Sequence, residues 1–515
     1  MASASGLPKP LTDLLLGAGL EVDPPETRRI FTNRDLAFEQ VAVIGFDMDY
    51  TLAVYNQAAL EALSIEATIR KLLARGYPEE LHAMRADPTF AVRGLTVDKK
   101  LGNVIKMDRH GYVGRAYHGK RPLARSERKA IYRAQRLGTQ RERFAPVDTL
   151  FALPEVTVFA EVVELIDREP SLFQHRDRPT YAEAWSDVRD CIDEAHQDGS
   201  IKNEVRANLD RYFIVDPLLG PTLHKFRSAG KRTFLLTNSF YPYTDAVLSH
   251  LLAGADERYR SWRDYFDWIV VGSRKPAFFT GSAPFLELDP EGRQLGVTAA
   301  EPDRGKIYEG GNQSGLQAAL GVYADQVLYV GDHIYGDIVR SKKSSGWRTA
   351  LVVEDLEHDL AVQAERRYTL EEIENLTRLR IKLTDEISSV RYLASALARR
   401  TPDDLIAVGV PPARAEDVLE DTRAELRTRF DRLRRYESET ADTLERRIAE
   451  IDAAFNPYWG SVFTARHDSS QFGAQVENYA CLYTSRVTNF RFVSPVKYFH
   501  SPPNWLPHWK RIVDG

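Results

Sequence analysis

The stretch Ile44-Gly45-Phe46-Asp47-Met48-Asp49-Tyr50-Thr51-Leu52 decides how this chain is read. Val41 to Phe46 is an apolar run that ends in two carboxylates one residue apart, with Thr51 two positions further on. As a buried strand, the run delivers Asp47 and Asp49 to its carboxyl end, where open α/β sheets bind ligands. Residues i and i+2 of an extended chain lie on one side. Two acids side by side there are unfavourable unless a hard divalent cation or a shared proton balances them.

Further apolar runs have the same look of parallel strands buried on both faces: Thr233–Leu236, Trp268–Val271, Gln326–Val330 and Thr349–Val353. Each closes in polar or glycine residues, and helical stretches lie between most of them. The alternation predicts a doubly wound, Rossmann-like α/β domain with a parallel sheet. The first run and Thr233–Leu236 are too far apart in the chain for one crossover helix, so a second, α+β domain is expected between them. Within it, Gly94 to Gly119 reads as strands and turns, with Asp108-Arg109-His110-Gly111 as a hairpin tip. Phe151 to Ser200 reads as mainly helical.

After Val353 the pattern changes. Leu376, Leu383, Val390 and Leu397 recur every seven residues, beside Ile373, Ile387 and Ala394, with Arg380 interrupting. A proline-rich break at Pro402 and Pro411-Pro412 precedes a second helical pattern through Leu426, Phe430, Leu433, Leu444, Ile448, Ile451 and Phe455. The expectation is a long helical hairpin. It either packs on the core domain or also makes a subunit contact. The aromatic-rich stretch from Tyr458 to Trp509 is expected to dock rather than hang loose. The expected boundaries are 1–56 for the first part of the core, 57–215 for the insert, 216–365 for the rest of the core, 366–457 for the hairpin and 458–515 for the C-terminal segment.

Composition narrows the function. With 515 residues, 43% of them apolar and 28% charged, the chain reads as globular and of more than one domain. A net charge of −5 gives no basic excess that would point to nucleic acid. No apolar run approaches a membrane span, and Met1–Gly6 lacks a basic-then-apolar signal pattern. Two cysteines, Cys191 and Cys481, argue against a disulfide framework or a thiolate zinc site, and for a reducing cytoplasm.

The strand ends carry the chemistry. Leu236-Thr237-Asn238-Ser239 offers three small hydrogen-bonding residues, Gly272-Ser273-Arg274-Lys275 a lysine, and Gly331-Asp332-His333-Ile334-Tyr335-Gly336-Asp337 two aspartates. A phosphoryl-transfer site needs a nucleophile, a proton donor for the leaving oxygen, a metal and fixed donors for the equatorial oxygens. Asp47 fits the nucleophile, giving an aspartyl-phosphate. Asp49 fits the acid and base. Thr237 and Asn238 supply donors and Lys275 a point charge. Asp332 joins Asp47 and the Asp49 backbone carbonyl around magnesium, and Asp337 holds a metal-bound water or orients Lys275.

The order Asp-x-Asp-x-Thr, strand-Thr-Asn/Ser, Lys, Gly-Asp-x-x-x-x-Asp resembles the haloacid dehalogenase superfamily. More closely, the chain resembles the cytosolic purine 5′-nucleotidase family. The likeness lies in Phe46–Tyr55, in Arg274-Lys275-Pro276-x-Phe278-Phe279, and in Gly331-Asp332-His333-Ile334-x-Gly336-Asp337-Ile338. It continues in Ser341-Lys342-Lys343-x-x-Gly346-Trp347-Arg348-Thr349, Tyr458–Phe463 and Tyr479-Ala480-x-Leu482-Tyr483. The resemblance implies a haloacid dehalogenase core capped by the insert, magnesium, and hydrolysis of nucleoside 5′-monophosphates, purine ones (IMP- or GMP-like) first. It also implies a homo-oligomer, dimer or tetramer. It implies that Phe151 stacks on the base, that Arg189 and Asp193 meet its edge, and that His196 and Lys202 line the phosphate and ribose side, beside Ser239. Ala152 and Gln197 depart from the family pattern near the ribose. The acidic tail of the family's vertebrate enzyme is not present in Trp509–Gly515.

Plainer readings stand beside these. Arg189 and Asp193 are four apart on an expected helix, the spacing of a structural ion pair, and Phe151 also suits a core position. Gly114-x4-Gly119-Lys120 has P-loop spacing, but Arg121 replaces the magnesium-binding hydroxyl and Pro122 follows, so it reads as strand and turn. The alternative functions are a phosphatase or phosphotransferase for another phosphate ester, and a catalytically silent nucleotide-binding or scaffold protein.

Overall fold

The computed structural model of the protein describes residues 25–83, 87–133, 142–173, 178–339, 345–465 and 468–503. Ser341-Lys342-Lys343, residues 1–24 of the expected first domain and the stretch 504–515 lie outside the described residues. The chain forms two compact units, one of Met1–His358 with Ser461–Gly515, the other Asp359–Gly460.

The larger unit is built on a ten-stranded sheet. Its centre is Val43–Phe46, flanked in parallel by Arg232–Leu236 on one side and Val327–Gly331 on the other. Beyond Arg232–Leu236 come Trp268–Val271 and Ile307–Gly310, both parallel. Beyond Val327–Gly331 come Arg348–Val352 and Leu482–Thr484, also parallel. The chain therefore leaves the central strand toward one edge and later returns to its other side, which opens a crevice at the carboxyl ends of the middle strands. Both edges turn antiparallel, through Phe285–Leu288 with Gln294–Ala299, and through Phe31–Thr32.

Every residue of Val43–Phe46 is buried, which explains why it reads as an unbroken apolar run rather than an alternating one. Gly45 is required for close approach, because a Cβ there would overlap the ring of Phe234 on the neighbouring strand. Val41 lies outside the strand: its N–H donates to the Phe38 carbonyl in a short turn, so the ladder starts later than expected. Trp268–Val271 appears with the expected ends, and the other three runs with an end shifted by about one residue.

Five sheet strands carried no readable sequence signal. Phe31–Thr32 has two residues and Leu482–Thr484 three, Ile307–Gly310 mixes apolar and polar, and the hairpin Phe285–Leu288/Gln294–Ala299 has an exposed second strand. The C-terminal segment docks through Leu482–Thr484, where Tyr483 stacks on Phe31 at 5.1 Å. Phe490 packs against Phe38 and Phe226.

Between the first two core strands lies a five-stranded antiparallel sheet in the order Arg121–Pro122, Val113–His118, Asn103–Met107, Leu95–Asp98, Phe144–Pro146. The Asp108 carboxylate accepts from the N–H groups of His110 and Tyr112, both at 2.9 Å, and closes the hairpin tip. Gly114–Lys120 is strand and turn, with no helix start. Helices Gln57–Ala74, Leu153–Arg168 and Tyr181–Gln197 pack together beside this sheet. The chain enters this segment through Val54–Tyr55 and leaves it through Phe213–Ile214, and these two crossings pair antiparallel.

The smaller unit begins within helix Asp355–Glu365 and holds helix Arg367–Leu397, a short helix Pro402–Ala407 within the proline-rich break, and helix Pro412–Phe455. Leu383, Ile387, Val390 and Leu433 form its buried seam, with Leu426 and Phe430 against them. Arg380 interrupts the apolar stripe because it pairs with Glu437 of the opposite helix at 3.1 Å.

Candidate active site

Four loops meet at the carboxyl ends of the middle strands. The Asp47 N–H still bonds to the Val330 carbonyl and the Thr237 N–H to the Val270 carbonyl, so these residues leave the sheet in register. Directly after them the backbone turns sharply. Tyr50 and Arg274 adopt φ of 54° and 59°, the left-handed region that is costly for such side chains. One flanks Asp49 and the other Lys275.

Lys275 is the hub. Its Nζ donates to Asp47 Oδ2 at 2.9 Å, Asp337 Oδ1 at 2.7 Å and the Tyr329 hydroxyl at 2.9 Å. Its burial favours the neutral amine, but Asp337 and Asp47 outweigh that and hold its pKa above the ordinary lysine value. The other Asp47 oxygen accepts from the Met48 N–H at 2.7 Å. Gly331 lets Asp337 lie against the strand end, since a Cβ there would meet its carboxylate at 2.7 Å.

Asp47, Asp332 and Asp337 each offer an oxygen within 4.8 Å of the others, and all three are buried. One ammonium cannot balance three carboxylates. Burial, with mutual repulsion, pushes Asp47 and Asp332 well above the usual carboxylate range. Among the described residues, the Asp332 carboxylate accepts no hydrogen bond. Such an excess of hard, buried, under-bonded oxygen suits a magnesium-sized dication, whose charge would offset the burial and repulsion that raise these values.

Asp49 stands apart from that trio. Its Oδ1 accepts from the Tyr55 hydroxyl at 2.6 Å and its Oδ2 from the Ser239 hydroxyl at 2.7 Å. Its carboxylate is not one of the clustered ligands, so a metal role for Asp49 would fall to its backbone carbonyl.

A cavity of about 400 Å³ opens over these groups. The core lines it with Asp47, Asp49, Asn238, Ser239, Lys275, Asp332 and Asp337, and the intervening segment with Thr149, Phe151, Asp193, His196 and Lys202. Phe151 meets Tyr50 edge-on at 4.7 Å and His196 at 6.1 Å. Burial, reinforced by Lys202, lowers the pKa of His196 and keeps it neutral near pH 7.

The remaining expected residues sit differently. Thr237 is buried beneath the cavity, and its hydroxyl accepts from the Ser239 N–H at 3.1 Å. The Asn238 side chain latches two loops: it donates to the Lys275 carbonyl at 3.0 Å and accepts from the Lys275 N–H at 2.6 Å and the Ser273 hydroxyl at 2.9 Å. Arg189 does not line the cavity. Its guanidinium is drawn to Glu155 at 3.2 Å and lies only 3.9 Å from Asp193, close to the plain ion-pair reading. Ala152 and Gln197 do not line the cavity either.

Tyr55, Tyr243, Tyr329 and His333 were not foreseen. Tyr55 and Tyr243 join by their hydroxyls at 2.9 Å, Tyr329 touches Lys275, and His333 lines the cavity. The one available signal was Tyr329 inside an otherwise apolar strand, because a buried phenol needs a polar partner.

A family model described as the 5′ nucleotidase family matches residues 30–511. A 5′-nucleotidase domain-containing protein of Dictyostelium discoideum is 28% identical over 495 residues, covering 95% of this chain and 75% of that protein. The 5′-nucleotidase domain-containing protein 2 of Homo sapiens is 29% identical over 381 residues, covering 70% of this chain and 68% of its own. Among solved structures, CbbY from Rhodobacter sphaeroides in complex with phosphate covers 61% of this chain and 86% of its own at 14% identity, but a TM-score of 0.22 carries no argument. With the family pattern running through both edges of the sheet and every loop of the site, the chain belongs to the 5′ nucleotidase family and is a phosphoric monoester hydrolase.

Proposed function

We propose that this protein is a magnesium-dependent 5′-nucleotidase that converts nucleoside 5′-monophosphates to nucleoside and phosphate through a phospho-aspartate at Asp47. The observation that carries the reading is the buried trio Asp47, Asp332 and Asp337 around Lys275, at the floor of a cavity that Phe151 also lines.

Asp47, Asp332 and Asp337, the last directly or through a water, would hold the cation, which supplies charge neutralisation for the phosphoryl oxygens. An Asp47 oxygen attacks phosphorus while the bond to the 5′ oxygen breaks, and Asp49 gives that oxygen its proton. Asp49 then takes a proton from water, whose oxygen attacks phosphorus and frees Asp47. Lys275 holds Asp47 in one orientation and adds positive charge. The Asn238 latch fixes the loop that carries Lys275.

The face of Phe151 suits a purine ring, and Asp193 can accept from an N–H on its edge, as in IMP or GMP. His196 and Lys202 suit the ribose and phosphate side. Two buried free thiols suit a reducing cytoplasm, and among the described residues no helix is long and apolar enough to cross a membrane. The exposed Tyr368, Ile381 and Tyr392 of the helical unit suit a homo-oligomeric contact.

Phosphate release from a panel of nucleoside monophosphates tests the reading. Turnover should require magnesium, accept 5′- but not 3′-monophosphates, and favour purines. A folded protein that releases phosphate from none of them contradicts it.

A further inference from the structure

The geometry points to Tyr55, backed by Tyr243, as a positioning residue that aims the Asp49 carboxylate from the junction between the core and the intervening segment. This rests on the acid–base role of Asp49 proposed above.

Both Asp49 oxygens are tied, one to the Tyr55 hydroxyl at 2.6 Å and the other to the Ser239 hydroxyl at 2.7 Å. A carboxylate bonded at one oxygen can still pivot about its side-chain bonds, whereas one bonded at both is fixed. Fixing matters here because the cation-binding trio stands close by, and a free carboxylate beside a dication is drawn into its shell. The two hydroxyls hold Asp49 out of that trio and available to the leaving oxygen.

Tyr55 can impose this orientation because it is itself immobile. It is almost wholly buried, with ring centroids of Tyr50 at 4.6 Å and Phe213 at 4.5 Å. Its hydroxyl also meets that of Tyr243 at 2.9 Å, from the helix Tyr241–Leu251 that follows the Ser239 loop. Tyr55 lies on Val54–Tyr55, the crossing paired with Phe213–Ile214. The chain segment that leads to Phe151 and His196 thus also sets the direction of Asp49. A shift in the crossing would move Asp49 with it, which ties proton transfer to the placement of the base-side residues.

The test is a double-mutant cycle on phosphate release from a nucleoside 5′-monophosphate with magnesium, run at enzyme concentrations that follow slow variants. Asp49→Asn should lower kcat by about 10²–10⁴-fold. Tyr55→Phe should lower kcat by about 10- to 100-fold with KM held within about twofold. In the Asp49→Asn background, Tyr55→Phe should cost nothing further, because its effect runs through that carboxylate. Tyr243→Phe, which leaves the Tyr55–Asp49 contact in place, should give a smaller kcat loss with the same non-additivity and serves if Tyr55→Phe does not fold. Equal losses in both backgrounds, a rise in KM instead of a fall in kcat, or wild-type turnover of Tyr55→Phe would overturn the proposal. Undiminished turnover by Asp49→Asn would instead remove the acid–base reading on which it stands.

Discussion

Two groups of buried acid in the larger unit are built in opposite ways. Asp98, fully buried in the intervening segment, sits in the fork of Arg143, with its oxygens at 2.8 and 2.7 Å, and accepts also from the Tyr132 hydroxyl at 3.0 Å. Its charge is answered in full, and the arrangement asks for nothing more. Asp47, Asp332 and Asp337 share a single ammonium, and Asp332 has no hydrogen-bond donor among the described residues. A fold that needed only stability would not leave such a surplus buried. In the proposed function the excess is where a cation completes the structure, and the same contrast separates substitutions that stop chemistry from those that loosen the fold.

The largest effect is expected at Asp47. Asp47→Asn should lower kcat at least about 10⁴-fold while nucleotide affinity, followed by titration calorimetry, changes by less than about tenfold. Asp98→Asn should do the reverse. It leaves the half-buried Arg143 fork only partly answered at the fully buried end, at a cost of up to about 3 kcal/mol in denaturant unfolding, yet turnover per folded molecule should stay within about twofold. If Asp98→Asn lost activity without losing stability, the contrast would fail.

Magnesium should matter only to the unbalanced group. At about 100 times its dissociation constant it should raise the unfolding free energy by about 2.7 kcal/mol, and Asp332→Asn should abolish that gain.

Glu61 is an intermediate case: an acid that is 3% exposed, with one oxygen held by Gln57 at 2.5 Å and the other without a partner among the described residues. Burial pushes its pKa from 4.5 up to about 7, only partly offset by Gln57. The folded value exceeds the unfolded one, so the stability it allows is complete below about pH 4.5 and is lost as pH rises through about 7. Glu61→Gln should therefore raise the melting temperature at pH 8, by the equivalent of up to about 3 kcal/mol, and leave it nearly unchanged at pH 4.5. An equal effect at both pH values would show that its charge is not the cause. The smallest effect is expected at Arg189, whose guanidinium is spent on Glu155. Arg189→Ala should change kcat/KM by less than about threefold.

What the sequence made legible follows how local each signal is. Val43–Phe46 and its parallel neighbours could be read because a strand buried on both faces must be apolar throughout, and the groups at their ends because strand, turn and acid are adjacent in the chain. Ile307–Gly310 and Leu482–Thr484 were hidden, since neither is long or apolar enough to signal a strand. The hydroxyl contacts of Asp49 were hidden for another reason. Ser239 reads as a site residue, but it lies 190 residues from Asp49, and Tyr243 lies 188 from Tyr55, so only the folded sheet shows these contacts; Tyr55, 6 residues from Asp49, carries no local sign of where its hydroxyl points. Arg189 shows the same limit: its partner Glu155 is on the preceding helix, and the family pattern alone could not foresee this contact, which leaves Arg189 outside the cavity lining.

The central claim is that an oxygen of Asp47 bonds transiently to phosphorus. Rapid acid quenching of the magnesium-loaded enzyme with a 5′-monophosphate labelled at phosphorus tests it most directly. Label should appear on the chain, mapped to the peptide that holds Asp47, before free phosphate and turn over with it. Phosphate formed with inversion at phosphorus, and no label on the chain at any time, would contradict it.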